Sequence, residues 1–269
     1  MASFGAKYPC FNPTASEPEG KLPVYKNPEP VRIGRLVKAD LTVNLASGKL
    51  FADDGLAESV DEFSSGSIAM ETDDMEDSVA AVVYGCNVEG KTVHYNVGDD
   101  PPAGGLAYFK KLMRRKKVLY KGYFYPLVKA AIGNDTAQTK TDSITFGTNN
   151  TTFTVFACET GDWRLTEEFS TEAEAVAWIK EKLKGPDPAA KPTATPPAGA
   201  VSSGTSVSLT SETPEAVIRY TTDGEDPTET SEVFSEAIQI TEETTIKAIA
   251  TAEGFSASEM LEAHYTLSD

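Results

Sequence analysis

Apolar and polar residues alternate through much of this chain. Val37, Ala39, Leu41, Val43 and Leu45 interleave with Lys38, Asp40, Thr42 and Asn44, which predicts a strand with one wet face. Ile68 and Met70 mark a second strand across residues 63–71, and Val93, Tyr95 and Val97 a third. Residues 106–132 hold two apolar runs separated by Arg114-Arg115-Lys116-Lys117. Leu106, Phe109, Leu112 and Met113 also fit helical spacing, but the aromatic and β-branched density of residues 118–125 favours a hairpin with a basic tip. Residues 144–146 and 152–156 read as strands joined by Gly147-Thr148-Asn149-Asn150, which has hairpin-turn chemistry. Two stretches keep a helical period. Asp73 or Asp74 can cap a short helix through Val79, Val82 and Val83 that stops at Gly85. Thr171-Glu172-Ala173-Glu174 has the form of a capping box, followed by an apolar stripe of Ala175, Trp178, Ile179 and Leu183. Lys180, Lys182 and Lys184 suit the C-terminal end of that helix dipole.

Three stretches break the pattern. Residues 1–30 are rich in Pro, Gly and Lys without a period and read as an irregular arm. Residues 46–62 carry turn signals and acids and read as a long loop with a short strand at 49–52; loops of that length in compact domains are usually functional. Residues 185–200 hold prolines at a density that suits an extended, solvated spacer. Beyond it, short strands at residues 207–209, 218–220, 238–240, 245–250 and 264–267 recur with turn signals between them, the pattern of a small antiparallel sandwich. The expected organisation is a unit at 1–184, a linker at 185–200 and a small β unit at 201–269.

At 269 residues the chain is long enough for two cores. The formal charge of −17 is uneven: residues from Lys191 onward carry about 3 basic and about 14 acidic side chains, leaving about −6 for the rest. Such an excess argues against a conventional nucleic-acid binder, while an acidic wall would let DNA pass without adhering. No stretch has the length and apolarity of a signal peptide or a membrane span, so a soluble protein made in a cytosol is expected. Cys10, Cys86 and Cys158 are far apart and odd in number, which points to buried free thiols rather than disulfides or zinc.

Catalytic patterns are sparse. His94 and His264 lie in expected strands, far from any GxSxG, and there is no HExxH, P-loop or GxGxxG. Asp53-Asp54 and Asp99-Asp100 are carboxylate pairs that a glycosidase or a Ca²⁺ site could use, but acidic turns explain them equally. An acidic glycosidase is therefore a distant third reading. The one positive island is Lys110, Lys111, Arg114, Arg115, Lys116, Lys117 and Lys121, interleaved with Tyr108, Phe109, Tyr120 and Tyr123. Three readings stay open for it: a nucleic-acid patch, a partner for acidic surface on a neighbouring copy, or a solvated hairpin.

The order of these pieces resembles a known family. An arm and a strand lead to Leu50-Phe51-Ala52-Asp53-Asp54, the strand at 63–71, and a helix ending Val83-Tyr84-Gly85. The hairpin at 108–125 follows, then Thr141-Asp142-Ser143-Ile144-Thr145-Phe146-Gly147-Thr148, and Gly161-Asp162-Trp163 before the last helix. Residues 25–183 are in this respect similar to the major tail proteins of long, non-contractile phage tails. The resemblance implies a mainly β fold: a tail-tube-type sandwich or barrel with a flanking α-helix. It also implies a structural virion protein, synthesised in the host cytoplasm, without enzymatic activity, cofactor or membrane contact. Six copies would close into rings that stack into a tube through which double-stranded DNA passes unbound, with tape-measure and tail-end proteins as further partners. The arm and the loop at 46–62 would reach the adjacent ring, making Leu50, Phe51, Asp53, Asp54 and Leu56 candidate contacts, together with Arg114, Arg115, Lys116 and Lys117 of the basic tip.

The second unit has its own likeness. Residues 220–228 (Tyr-Thr-Thr-Asp-Gly-Glu-Asp-Pro-Thr), the run Thr244-Thr-Ile-Lys-Ala-Ile-Ala250 and Gly254-Phe-Ser-Ala-Ser258 resemble the Ig-like module at the C-terminus of chitobiase-type proteins. Such a module would decorate the tube, or bind cell-surface glycans and make the chain an adhesion protein. Tyr220 and Tyr265, the aromatics a sugar-binding face would need, fall at expected core positions.

Overall fold

The computed structural model describes residues 2–52, 55–132, 147–228 and 230–268. The chain divides into two units, Met1–Gly185 and Pro186–Asp269, each with its own core.

The first unit begins with β1 (Ala2–Ser16), β2 (Val24–Tyr25) and β3 (Val31–Arg32). The expected irregular arm at 1–30 is therefore mostly sheet. Its period is hidden by bulges: two residues, Tyr8 and Pro9, sit between the pairs Lys7↔Phe109 and Cys10↔Ala107, with Tyr8 at φ 61°. A proline is tolerated where the ladder is already interrupted.

Then come β4 (Leu36–Ala52) and β5 (Gly55–Thr72), paired from Leu36↔Thr72 to Ala52↔Gly55. The loop expected at 46–62 is thus the outer half of a long hairpin. Helix α1 (Asp77–Tyr84) follows, and its N-cap is Glu76, without a side-chain bond. The expected caps are occupied elsewhere: Asp73 accepts from the Arg35 and Asp74 amides, and Asp74 from the Met75 amide. Gly85 does close the helix in the left-handed conformation, where a Cβ would meet the Asp100 carbonyl at 2.8 Å. Strands β6 (Asn87–Glu89) and β7 (Thr92–His94) form a small separate ribbon, so the strand expected to include Tyr95 and Val97 ends at His94.

The basic-tipped hairpin is β8 (Ala103–Arg114) with β9 (Lys117–Ile132). Strand β10 (Asn149–Phe156) contains Asn149 and Asn150, which were expected in a turn; the strand expected at 144–146 lies outside the described residues. β11 (Leu165–Phe169) and α2 (Glu172–Lys182) complete the unit, and α2 carries the expected capping box from Thr171 to Glu174.

The sheet order is β2-β1-β8-β9-β10-β5-β4, with β3 on β1 and β11 on β9. Alternate residues of the central strands serve two cores. Leu106, Tyr108, Tyr125 and Val128 pack with Phe11, Ile68, Phe153 and the α1 residues Ala80 and Val83. Ala107, Phe109 and Phe124 pack with Ala175, Ile179 and Leu183 from α2. Both faces are covered, which is why residues 104–109 of β8 are buried without a break. Phe11 of β1 and Ala39 of β4 belong to the same core although their strands lie far apart in the sheet order, so the sheet curls around it.

The second unit is a sandwich. Residues 185–200, expected as a free spacer, include β12 (Thr193–Thr195) and most of β13 (Gly199–Val201). Both are edge strands, with Pro192, Pro196 and Pro197 just outside them, where a missing N–H costs no ladder bond. The body comprises β14 (Thr205–Thr210), β15 (Val217–Thr221), β16 (Glu232–Val233), β17 (Ile238–Ile240), β18 (Thr244–Thr251) and β19 (Leu261–Leu267). A three-stranded sheet, β12-β14-β17, and a five-stranded one, β13-β19-β18-β15-β16, share a core of Val207, Leu209, Ile240, Ile246, Ala248 and Tyr265. The Tyr265 hydroxyl donates to the Pro196 carbonyl at 2.7 Å, which ties the proline segment to the core.

Candidate assembly surfaces

The β4–β5 hairpin outruns its sheet. β5 pairs with β10 only through residues 66–72, so residues 44–52 and 55–65 stand as a two-stranded ribbon about 30 Å long at the usual rise per residue. Its base is fixed by Phe63, whose ring stacks on Trp163 at 4.5 Å and 3°. The side chains described above it, residues 44–49 and 59–62, are exposed, including Leu45 and Val60. Hydrogen bonds from Asn44 to Ser65 and from Ser47 to Asp61 cross the ribbon near its base. Two-stranded ribbons of this kind are marginal in water by themselves. β4 also ends the ladder, so its outer edge has no paired strand among the described residues.

Of the candidate contacts, Leu50 and Phe51 lie on β4 and Leu56 on β5, in the register Leu50↔Glu58 and Phe51↔Leu56. Asp53 and Asp54 lie outside the described residues. The pair Ala52↔Gly55 is the last of the register, so the two strands belong to one hairpin.

The basic candidates occupy the other hairpin. Arg115 and Lys116 form a two-residue turn with φ of 48° and 65°, both left-handed, matching the tight turn that suits twisted strands. Arg114 makes a bidentate pair with Glu168 at 3.1 and 3.2 Å. Lys111 and Lys7 share Glu172 at 3.6 and 3.2 Å, while Lys110 lies over the rings of Tyr108 and Tyr123. The island is thus partly compensated within the chain. Arg115, Lys116 and Lys117 are exposed and, among the described residues, have no carboxylate within 4.0 Å. Among the described residues, β10 and β11 lie between the two hairpins that carry the candidates.

Of the two carboxylate pairs, Asp99-Asp100 has structural partners. Asp99 accepts from the Asn96 amide at 2.7 Å, and Asp100 pairs with Lys129 at 2.5 Å. His94 sits 3.7 Å from Glu89, and the His264 ring lies 3.3 Å from Glu243 and 3.0 Å from the Thr245 hydroxyl. Among the described residues no three His, Cys, Asp or Glu side chains are grouped as metal ligands. Cys10, Cys86 and Cys158 are free and buried, and burial pushes the Cys10 thiol up to about 12.

These features define a mainly β protein made of a curled sheet with flanking helices and a small Ig-like sandwich. Residues 196–262, wholly within the sandwich, match the family model of the chitobiase/beta-hexosaminidase C-terminal domain. No curated protein matches the chain.

Proposed function

We propose that this chain is a structural subunit, a tail-tube protein of a long non-contractile phage tail. Its first unit closes with further copies into stacked rings, six to a ring, around a passage for double-stranded DNA. The observation that carries the reading is the β4–β5 ribbon together with the β4 edge, unpaired among the described residues: surfaces of low stability in one chain that a closed assembly covers. The acidic balance supports it, since phosphate would be repelled by the wall rather than held. Tape-measure and tail-end proteins would bound the tube, and the Ig-like unit would decorate it. Negative-stain images of the purified chain, alone and seeded with sheared assemblies, test this. Rings or tubes are expected; a chain that sediments as a monomer at high concentration under both conditions overturns it.

A second reading rests on the family match: the Ig-like unit would bind carbohydrate and the chain would act in adhesion. Against it, Tyr265 is fully buried and Tyr220 packs on Phe234 beside the core. A glycan array probed with the whole chain separates the two, saturable binding favouring adhesion.

A further inference from the structure

We infer that the side of the β8–β9 hairpin where Lys110 and Lys121 gather with Arg164 is a docking site for carboxylates of a second copy of this chain. The inference rests on the tube reading and adds to it one of the surfaces by which copies hold each other.

The first observation is a local conflict. Lys110 of β8 and Lys121 of β9 are direct partners in the ladder, so two like charges stand opposite each other on one face. Such a pair destabilises a sheet. Among the described residues neither lysine has a carboxylate within 4.0 Å. Glu168, opposite Lys121 on β11, is held by two hydrogen bonds from Arg114. A third cation adds to the conflict. Arg164 lies 4.6 Å from the centre of the Trp163 ring, and among the described residues it too has no carboxylate within 4.0 Å. Burial raises the hydroxyls of Tyr123 and Tyr125 above their ordinary 10, and the charge of Arg164 works against that rise, so its guanidinium lies near both. The three cations share one aromatic bed: the Lys110 ammonium stands 5.3 Å and the Lys121 ammonium 6.0 Å from the centre of the Tyr123 ring. In a chain of formal charge −17 this is a concentrated surplus of the rarer sign.

The second observation is what the bed can receive. Its rings are already engaged. Tyr123 stacks on Tyr108 with centres 5.4 Å apart, and Trp163 carries Phe63 at 4.5 Å as well as Arg164. Rings engaged in this way offer no platform to the bases of a single-stranded nucleic acid. The acidic balance of the chain repels duplex phosphate. What the cations lack is a carboxylate, and in an assembly of this protein the abundant source is the protein itself, with 41 acidic residues against 24 basic ones. Unlike charges on apposed copies complement each other. Both lysines are half-buried, so an acid brought against them meets charges already partly stripped of water. A placement that costs the lone chain thus strengthens the contact between copies.

The test replaces the pair, Lys110→Gln with Lys121→Gln, in the full chain. Assembly seeded with sheared assemblies is followed by sedimentation and negative-stain imaging in low and high salt, and stability by urea unfolding of the dispersed chain. The variant is expected to need about tenfold more protein to assemble in low salt, and to lose much of the salt dependence of the unaltered chain. Its urea midpoint is expected to be equal or higher, because the like-charge pair is gone. A variant that assembles like the unaltered chain overturns the inference. So does a fall in the urea midpoint, which would mean that the lysines serve the fold through their tyrosines. A labelled single-stranded oligonucleotide that the unaltered chain binds and the variant does not would overturn it as well, making the ligand a nucleic acid. Each of these outcomes leaves the tube reading standing, whereas an unaltered chain that never assembles removes that reading and this site together.

Discussion

Asn12 shows how single side chains hold the first unit together. Fully buried on β1, it donates to the carbonyls of Asn27 and Leu183, both at 2.7 Å, and accepts from the Asn27 amide. It thereby joins a strand, a loop and the end of α2. Asn12→Leu leaves those backbone groups without partners in a dry site and is expected to cost about 2–4 kcal/mol in urea unfolding. Gly122 acts through its absent side chain: a Cβ there would stand 2.7 Å from the Trp178 ring. Gly122→Ala should cost about 1–3 kcal/mol through overpacking, measured the same way. Asp73 gives the chain an acid-side sensitivity. Hydrogen bonds from the Arg35 amide, and then the Asp74 amide, hold its carboxyl below its ordinary 3.8. A lowered folded value means the contribution is present above 3.8 and fades as pH falls through the lowered value. The stability gap between the parent and Asp73→Asn should therefore be full near neutrality and close on acidification below pH 4, followed by urea unfolding across pH.

At the scale of elements, the ribbon and the sheet it leaves should be separable. Residues 48–60 pair with one another or with the adjoining ribbon residues, not with β10. Replacing them by Asn-Gly is expected to leave the urea midpoint of the first unit nearly unchanged while abolishing assembly. A large loss of stability would mean that the ribbon supports the core. Local pattern made some elements legible and hid others. The β8–β9 hairpin and α2 were readable because a basic turn and a capping box are local signals that the packing then respects. β1 was not, because its bulges break the period of two on which strand recognition depends. The ribbon was misjudged for a related reason. Where its side chains are described, at residues 44–49 and 59–62, both faces are in solvent, so no buried face imposes a clean alternation there and the acids and small residues read as loop. The Phe63–Trp163 stack joins residues a hundred positions apart, and nothing near either one announces it.

At the scale of the whole molecule, each unit encloses its own hydrophobic cluster, so each should survive without the other. Removing residues 186–269 is expected to leave a folded, assembly-competent first unit, judged by circular dichroism and negative-stain imaging. Loss of assembly in a folded remnant would show that the Ig-like unit is more than decoration. The prolines of residues 185–200 looked like a boundary in sequence because density alone suggests a spacer. The fold uses them instead to finish edge strands that need no further ladder bonds.

The bare ribbon also bears on the kinetics of growth. Fixing a two-stranded segment costs conformational entropy that its few internal bonds only partly offset, so the cost is best met when a neighbour is already in place. The first subunits to meet would each have to order a ribbon with little in return, whereas later arrivals join a formed surface. Polymerisation should therefore show a lag that shortens on seeding and a threshold concentration below which chains stay dispersed. A subunit with that behaviour can accumulate in quantity and still wait for the place where its assembly is to begin.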